Sequence, residues 1–409
     1  MARLGRSFGG LWFATGAANL GDGIILFALP LVAIASGATG GQVALITALA
    51  TLAWPVVGLH AGWVVDHLGS RRILFVTNAV RAVVLGALAV AIALGMLTYP
   101  LLAAAAVIYG VAEVLVDTSL FAAIPATITR EQSGRANARI EATINVSNDM
   151  LGAPLAGALI LLGQSVVVGV SSGLYALALI GVGFVRRLTP MPVTAPGAVP
   201  SDRRVRAGLV FLWRNRTLRW LTAINATMNL SWAMWMAVMV LYVVAPGPLG
   251  ASTVEYGLVF TVMAVGGVIA SVVYRWLRGA LGVRLLLAFD PIATVALVLA
   301  PALGANLVVC AAAAFLGGVG SSTWRILNAT VRQHVTPVRM LGRAYSAFRA
   351  ISWGALPAGA SIAGIVIELA GLAAVFWVAT AVALFALGLY TTMMLRHPIA
   401  DMDGEPARR

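Results

Sequence analysis

The chain has 409 residues, 61% of them hydrophobic and 10% charged, with a mean hydropathy of +0.95, whereas soluble chains carry about 25% charged residues. No soluble fold buries that much apolar surface, so the composition leaves a polytopic membrane protein, and at about 34 residues per span and loop the length suits about twelve crossings. The formal charge of +13 comes from 27 basic residues, all of them Arg, against 14 acidic ones; whether it marks a nucleic-acid surface depends on where the arginines sit.

The first predicted span covers 11–35. Arg3 and Arg6 ahead of it and Ala33-Ile34-Ala35 at its end imitate a secretory signal. The stretch is too long for one and contains Asn19 and Asp22, so it is read as an uncleaved helix. Spans follow at 42–64, 73–94, 100–123, 140–162 and 166–185. The central loop begins with a segment carrying Pro190, Pro192, Pro196 and Pro200, which forms neither helix nor strand. Its second part, 203–219, mixes Leu209, Phe211, Leu212 and Trp213 with six arginines. That pattern suits either a short helix lying at the inner interface or the start of the next span. Six more spans occupy 218–244, 254–274, 284–301, 306–326, 344–369 and 372–395. The expected fold class is an all-α integral membrane protein of twelve helices in two six-helix bundles. The expected domains are 1–187, a cytoplasmic linker 188–217, 218–395 and a tail 396–409.

The arginines alternate with this ladder. Arg71 and Arg72 follow span 2, and Arg130, Arg135 and Arg139 follow span 4; eight more fill the central loop, from Arg186 to Arg219. Arg275, Arg278 and Arg284 follow span 8, Arg332, Arg339 and Arg343 follow span 10, and Arg396, Arg408 and Arg409 end the chain. The intervening loops hold none. The positive-inside rule then places both termini and the central loop in the cytoplasm, across the cell's inner membrane. The basic charge is a topology signal with an attraction to anionic inner-leaflet lipid, and no nucleic-acid partner is expected.

A repeat supports two halves. Gly134-Arg135-Ala136 recurs as Gly342-Arg343-Ala344 at an offset of 208, and Leu68-Gly69-Ser70-Arg71 as Leu281-Gly282-Val283-Arg284 at an offset of 213. Pro154 with Gly157 is matched by Pro357 with Gly359. Offsets in one direction imply parallel repeats about an axis along the membrane normal.

The loop after span 2 reads Gly62-Trp63-Val64-Val65-Asp66-His67-Leu68-Gly69-Ser70-Arg71-Arg72. Gly62 permits close helix approach, Asp66 can accept hydrogen bonds at a helix end, and Gly69 makes the turn. This loop resembles the signature of the major facilitator superfamily between helices 2 and 3, which implies a cytoplasmic latch formed by Gly62, Asp66, Gly69, Arg71, Arg72 and Asp117. Two departures, His67 after the Asp and Ser70 at the first basic position, remove the usual ion pair to helix 4, for which Arg71 can substitute. Asn19-Leu20-Gly21-Asp22-Gly23-Ile24, Ala28-Leu29-Pro30-Leu31, Ala136-Asn137-Ala138-Arg139 and Gly152-Ala153-Pro154-Leu155-Ala156-Gly157 are similar to the macrolide-efflux and enterobactin-exporter branch of drug:proton antiporters. Gly152, Pro154 and Gly157 are read as a helix-5 kink, serving either packing or antiport.

Acids inside hydrocarbon cost about 2.5 to 3.5 kcal/mol or more, so each needs a partner or a wet pathway. Asp22 lies about 16 Å into span 1, near the midplane. It is a candidate for proton coupling and substrate binding, or for a hydrogen bond to Asn19 or a neighbouring helix. Glu113 and Asp117 share a face of span 4. Arg81, deep in span 3, is expected to form a structural ion pair with one of them, leaving Glu113 as the second proton candidate. Asp149 and Asn145 in span 5, Asn19 in span 1, and Asn229 and Trp232 in span 7 are candidate substrate-lining residues.

Asp290, ahead of Pro291, is expected to satisfy a kink. Cys310 has no disulfide partner in the chain, and His60, His67, His334 and His397 are scattered, so no metal is expected. No Gly-rich phosphate loop with Lys is present, and neither a cofactor nor enzymatic chemistry is expected.

These features, with the resemblance, imply a monomeric secondary transporter that exports an amphipathic small molecule by alternating access in exchange for protons. The alternatives are an importer or uniporter of a small organic solute, and a membrane sensor or interaction subunit that does not transport.

Overall fold

The computed structural model describes residues 5–128, 133–185, 201–337 and 340–396. Ten of their helices are long and apolar enough to cross a membrane, two of them 50 and 56 residues long. Those two turn at Gly282 (φ 73) and Gly371 (φ 81), where only glycine adopts the backbone without strain. Each therefore holds two crossings, and the fold has twelve. By contacts the chain falls into two units: Met1–Val199 with Ala251–Thr261, and Pro200–Gly250 with Val262–Arg409.

The first unit contains α1 (Arg6–Ala35), α2 (Gly40–Thr51), α3 (Ala53–Leu68), α4 (Ser70–Ala93), α5 (Tyr99–Thr127), α6 (Ser133–Ile144), α7 (Gly152–Leu159) and α8 (Gln164–Gly183). Thr39 and Gln42 close a reciprocal cap at the start of α2. The second predicted span breaks into α2 and α3 at Leu52, because Pro55 has no N–H for the carbonyl of Thr51. Gly69, at φ 81, turns α3 into α4 and donates its N–H to Val65 O. The fifth predicted span is also interrupted: α6 passes into a π turn, Asn145–Met150, before α7 and a final tight turn, Ile160–Leu162.

Close backbone crossings hold α1 in place. A β-carbon on Gly10 would lie 2.6 Å from Gly181 O, and one on Gly23 would lie 2.6 Å from Asn148 O and 2.9 Å from Gly152 Cα. α4 meets α8 where the Ser172 hydroxyl donates to Ala82 O at 2.7 Å.

The second unit contains α9 (Ser201–Arg214), α10 (Arg216–Val243), most of α11 (Thr253–Ala302), α12 (Leu307–Val335) and α13 (Leu341–Arg396). α9 is a helix of its own, not the start of α10, which Asn215 caps by accepting from Leu218 N at 3.0 Å. Leu212 of α9 packs into a small core with Leu218, Ala347 and Phe348. Asn225 accepts from Trp324 Nε1 at 2.8 Å, joining α10 to α12 over a core that includes Leu221, Met228, Leu327 and Tyr390.

By contacts, residues 251–261 group with the first unit. Thr253 donates its hydroxyl to Gly157 O at 2.8 Å. A β-carbon on Gly257 would sit 2.6 Å from Ala153 O, and the Phe27 ring meets those of Tyr256 and Phe260 at 6.3 and 4.4 Å. The absence of side chains at Gly157 and Gly257 lets the start of α11 close on α7.

Candidate functional site

Asp22 sits mid-way along α1 with 4% of its surface exposed. Its Oδ1 lies 2.9 Å from Arg81 Nη1 of α4, and the two side chains are 6% and 0% exposed. The Tyr175 hydroxyl of α8 donates to the same Oδ1 at 2.7 Å. Gly21 makes room for that ring, since a β-carbon there would fall 3.1 Å from Tyr175 Cζ. The guanidinium lies over two aromatic rings, 5.1 Å from the centroid of Tyr175 and 5.3 Å from that of Tyr109 on α5. Such cation–π contacts favour a buried guanidinium.

Arg81 thus pairs with Asp22 across α1 and α4, where the sequence had pointed to Asp117 or Glu113 as its partner. The reason is geometric: α4 and α1 both pack on α8, so Arg81 and Asp22 converge beside Tyr175. Glu113, one turn beyond Tyr109, remains within electrostatic reach of Arg81, and Asp117 within reach of Asp22. The contact between Arg81 and Asp22 is an ion pair without good hydrogen-bond alignment, and Arg81 Nε and Nη2 have no acceptor among the described residues. The pair stays paired, yet retains unused donors that a second carboxylate could take.

Tyr109 and Tyr175 were not singled out by sequence, because a Tyr in an apolar run looks like packing. The signal that could have found Tyr109 is its four-residue spacing from Glu113, which stacks them on one helix face.

The other candidates are dispersed. Asn19 donates to Thr15 O at 2.9 Å within α1 and not to Asp22. Asn145 opens the π turn, a break in helical bonding that recurs at functional sites, and that turn lies against Gly23 beside Asp22. Gly152, Pro154 and Gly157 follow it in α7. In the second unit Asn229 donates its amide to Ser352 O at 2.7 Å, and Trp232 is half-buried. The side chains of Asp66 and Asp149 lie outside the described residues.

Between α3 and α4 Gly69 makes the turn, followed by Arg71 and Arg72. A β-carbon on Gly62 meets nothing within 4 Å among the described residues.

The sequence profile of the Major Facilitator Superfamily matches residues 11–247. The multidrug efflux pump Tap of Mycolicibacterium fortuitum is 24% identical over 416 residues, covering 96% of this chain and 97% of that protein. Its namesake in Mycobacterium tuberculosis is 25% identical over 414 residues, covering 96% and 95%. Among solved structures, a variant of the nucleoside transporter NupG superposes with a TM-score of 0.78 at 11% identity, covering 94% of this chain and 99% of that one. A bacterial homologue of the iron transporter ferroportin gives 0.69 at 16% identity, covering 95% and 97%. These likenesses speak to the fold, and the profile match, over more than half the length, speaks to kinship: the chain belongs to the Major Facilitator Superfamily.

Proposed function

We propose that the chain is a secondary active transporter that expels amphipathic small molecules in exchange for protons. The observation that carries this reading is the sealed Asp22–Arg81–Tyr175 cluster in the first unit. An acid and a base held at membrane depth are costly, and transporters place such groups where ions are moved. The full-length similarity to multidrug efflux pumps supports the direction of transport and a broad substrate class.

In this reading Asp22 alternates between two states. Ionised, it holds Arg81 Nη1 and the Tyr175 hydroxyl. When it takes a proton its charge no longer compensates Arg81, and Glu113 becomes the guanidinium's partner. Substrate entry and proton uptake then compete through the same carboxyl, which links the two movements. Alternating access of the two halves would carry the site between the faces of the membrane, with both termini in the cytoplasm and α9 on anionic inner-leaflet lipid. Asn19, Asn145, Asp149, Asn229 and Trp232 remain the proposed lining for the substrate, in a protein that works as a monomer.

The test is ethidium transport in everted membrane vesicles carrying an imposed pH gradient. The reading expects ethidium to enter the vesicle lumen, to acidify the medium as it does so, and to stop when the gradient is collapsed. Entry indifferent to the gradient would instead support a uniporter.

A further inference from the structure

The hairpin between the third and fourth crossings and that between the ninth and tenth are two copies of one element. Gly95, at φ 69, turns the first and Gly304, at φ 72, the second, an offset of 209 residues. Thr98 and Asn306 are the N-cap residues of the helices that follow, an offset of 208. From these turns Arg81 and Asp290 fall in register, each 14 residues ahead of its glycine, and so do Asp117 and Arg325, each 19 residues beyond its cap. At 1.5 Å per residue both members of the first pair lie about 21 Å from the outer turn. The second unit therefore carries the acid and the base on exchanged helices.

Asp290 is 4% exposed. α12 crosses it at Gly320, where a β-carbon would lie 2.8 Å from Asp290 Oδ1 and 2.9 Å from its Cα. That face has no room for a metal ion with a coordination shell. Arg325 of α12, an exposed side chain whose Nη2 lies 3.4 Å from Ser322 Oγ, is within electrostatic reach of Asp290. Nearer the inner end stand Arg284 and Tyr390, whose hydroxyl donates to the backbone carbonyl of Arg284 at 2.6 Å. Among the described residues no hydrogen bond reaches the Asp290 carboxyl, so it does not satisfy the Pro291 kink as the sequence suggested. The contrast with the first unit is plain. Asp22 has two partners, whereas its register equivalent at the same offset, Ser231, spends its hydroxyl on Ala379 O at 2.9 Å.

A carboxylate wedged between helices with no donor among the described residues is expensive to keep ionised, and a proton is small enough to relieve that cost here. We infer that Asp290 is a second proton-binding carboxyl of the chain, exchanging its proton with water while Arg325 compensates the carboxylate left behind. The proton leaves as hydronium or returns from it, so charge balances without another reactant. Its place in transport rests on the proton-coupled reading above; its proton exchange does not.

The full chain, reconstituted in lipid, is examined by infrared difference spectroscopy between acidic and alkaline buffer. A protonated-carboxyl band should be lost in Asp290→Asn and remain in Asp22→Asn. Arg325→Gln, at an exposed position that the fold tolerates, should displace the midpoint of that band, which guards against a misfolded Asp290 variant. A difference spectrum unchanged in Asp290→Asn, or a midpoint indifferent to Arg325→Gln, overturns the inference and leaves the Asp22 reading intact. A titrating Asp290 band in a protein whose ethidium transport ignores the pH gradient supports the inference and defeats the earlier reading.

Discussion

Arg81 Nη1 lies 2.9 Å from Asp22 Oδ1, with both side chains sealed inside the first unit. Removing one partner of such a pair strands the other. Arg81→Met should destabilise the protein by about 3 to 5 kcal/mol, and Asp22→Asn with Arg81→Met by much less. Thermal unfolding of the single and double variants in detergent, analysed as a double-mutant cycle, measures the coupling. Additive losses would mean that the two side chains do not depend on each other.

Tyr175→Phe keeps the ring beside Arg81 and removes only the hydroxyl that donates to Asp22. The expected cost is about 1.5 to 3 kcal/mol, the range for hydrogen bonds to charged groups. Tyr175→Ala should cost more, because the cation–π contact and the packing against Gly21 go with it. Equal melting temperatures for the two variants would contradict this division.

Gly23→Ala sets a β-carbon against the backbone of the π turn, 2.6 Å from Asn148 O, and backbone cannot swing aside as a side chain can. A loss of about 1 to 3 kcal/mol and impaired transport are expected. Gly62→Ala serves as the comparison, since its β-carbon meets nothing within 4 Å among the described residues, and it should leave stability unchanged.

Leu212 and Trp213 are neighbours on α9 with opposite surroundings, 1% and 64% exposed. Leu212→Ala should cost about 2 to 5 kcal/mol through the cavity left beside Leu218, Ala347 and Phe348. Trp213→Ala should stay within about 0.5 kcal/mol in detergent. The same melting assay reads both.

Twelve crossings were legible because hydropathy and glycine turns are local signals. Gly69 and Gly282, picked out by the repeat, both take the positive φ that a turn between helices requires. Asp22 and Arg81 were legible as buried ionisable groups but not as partners. They are 59 residues apart, and which helix packs beside which is written in backbone crossings such as Gly10 on Gly181, not in either span. The break at Leu52 could have been read from Pro55. The π turn was foreshadowed only by the polar run Asn145, Ser147, Asn148 and Asp149, whose periodicity does not distinguish an extra residue per turn. The contact of the first turns of α11 with α7 was not legible either, because it depends on the missing side chains of Gly157 and Gly257, far apart in the chain.

The central claim, that Asp22 couples substrate to proton, is tested most directly by comparing two modes of ethidium movement in liposomes containing wild type or Asp22→Asn. One mode is exchange at equilibrium, which needs only alternating access; the other is accumulation against a gradient, which also needs coupling. The account predicts that Asp22→Asn still exchanges ethidium but no longer accumulates it when a pH gradient is imposed. Accumulation by Asp22→Asn at the wild-type rate and extent would contradict it.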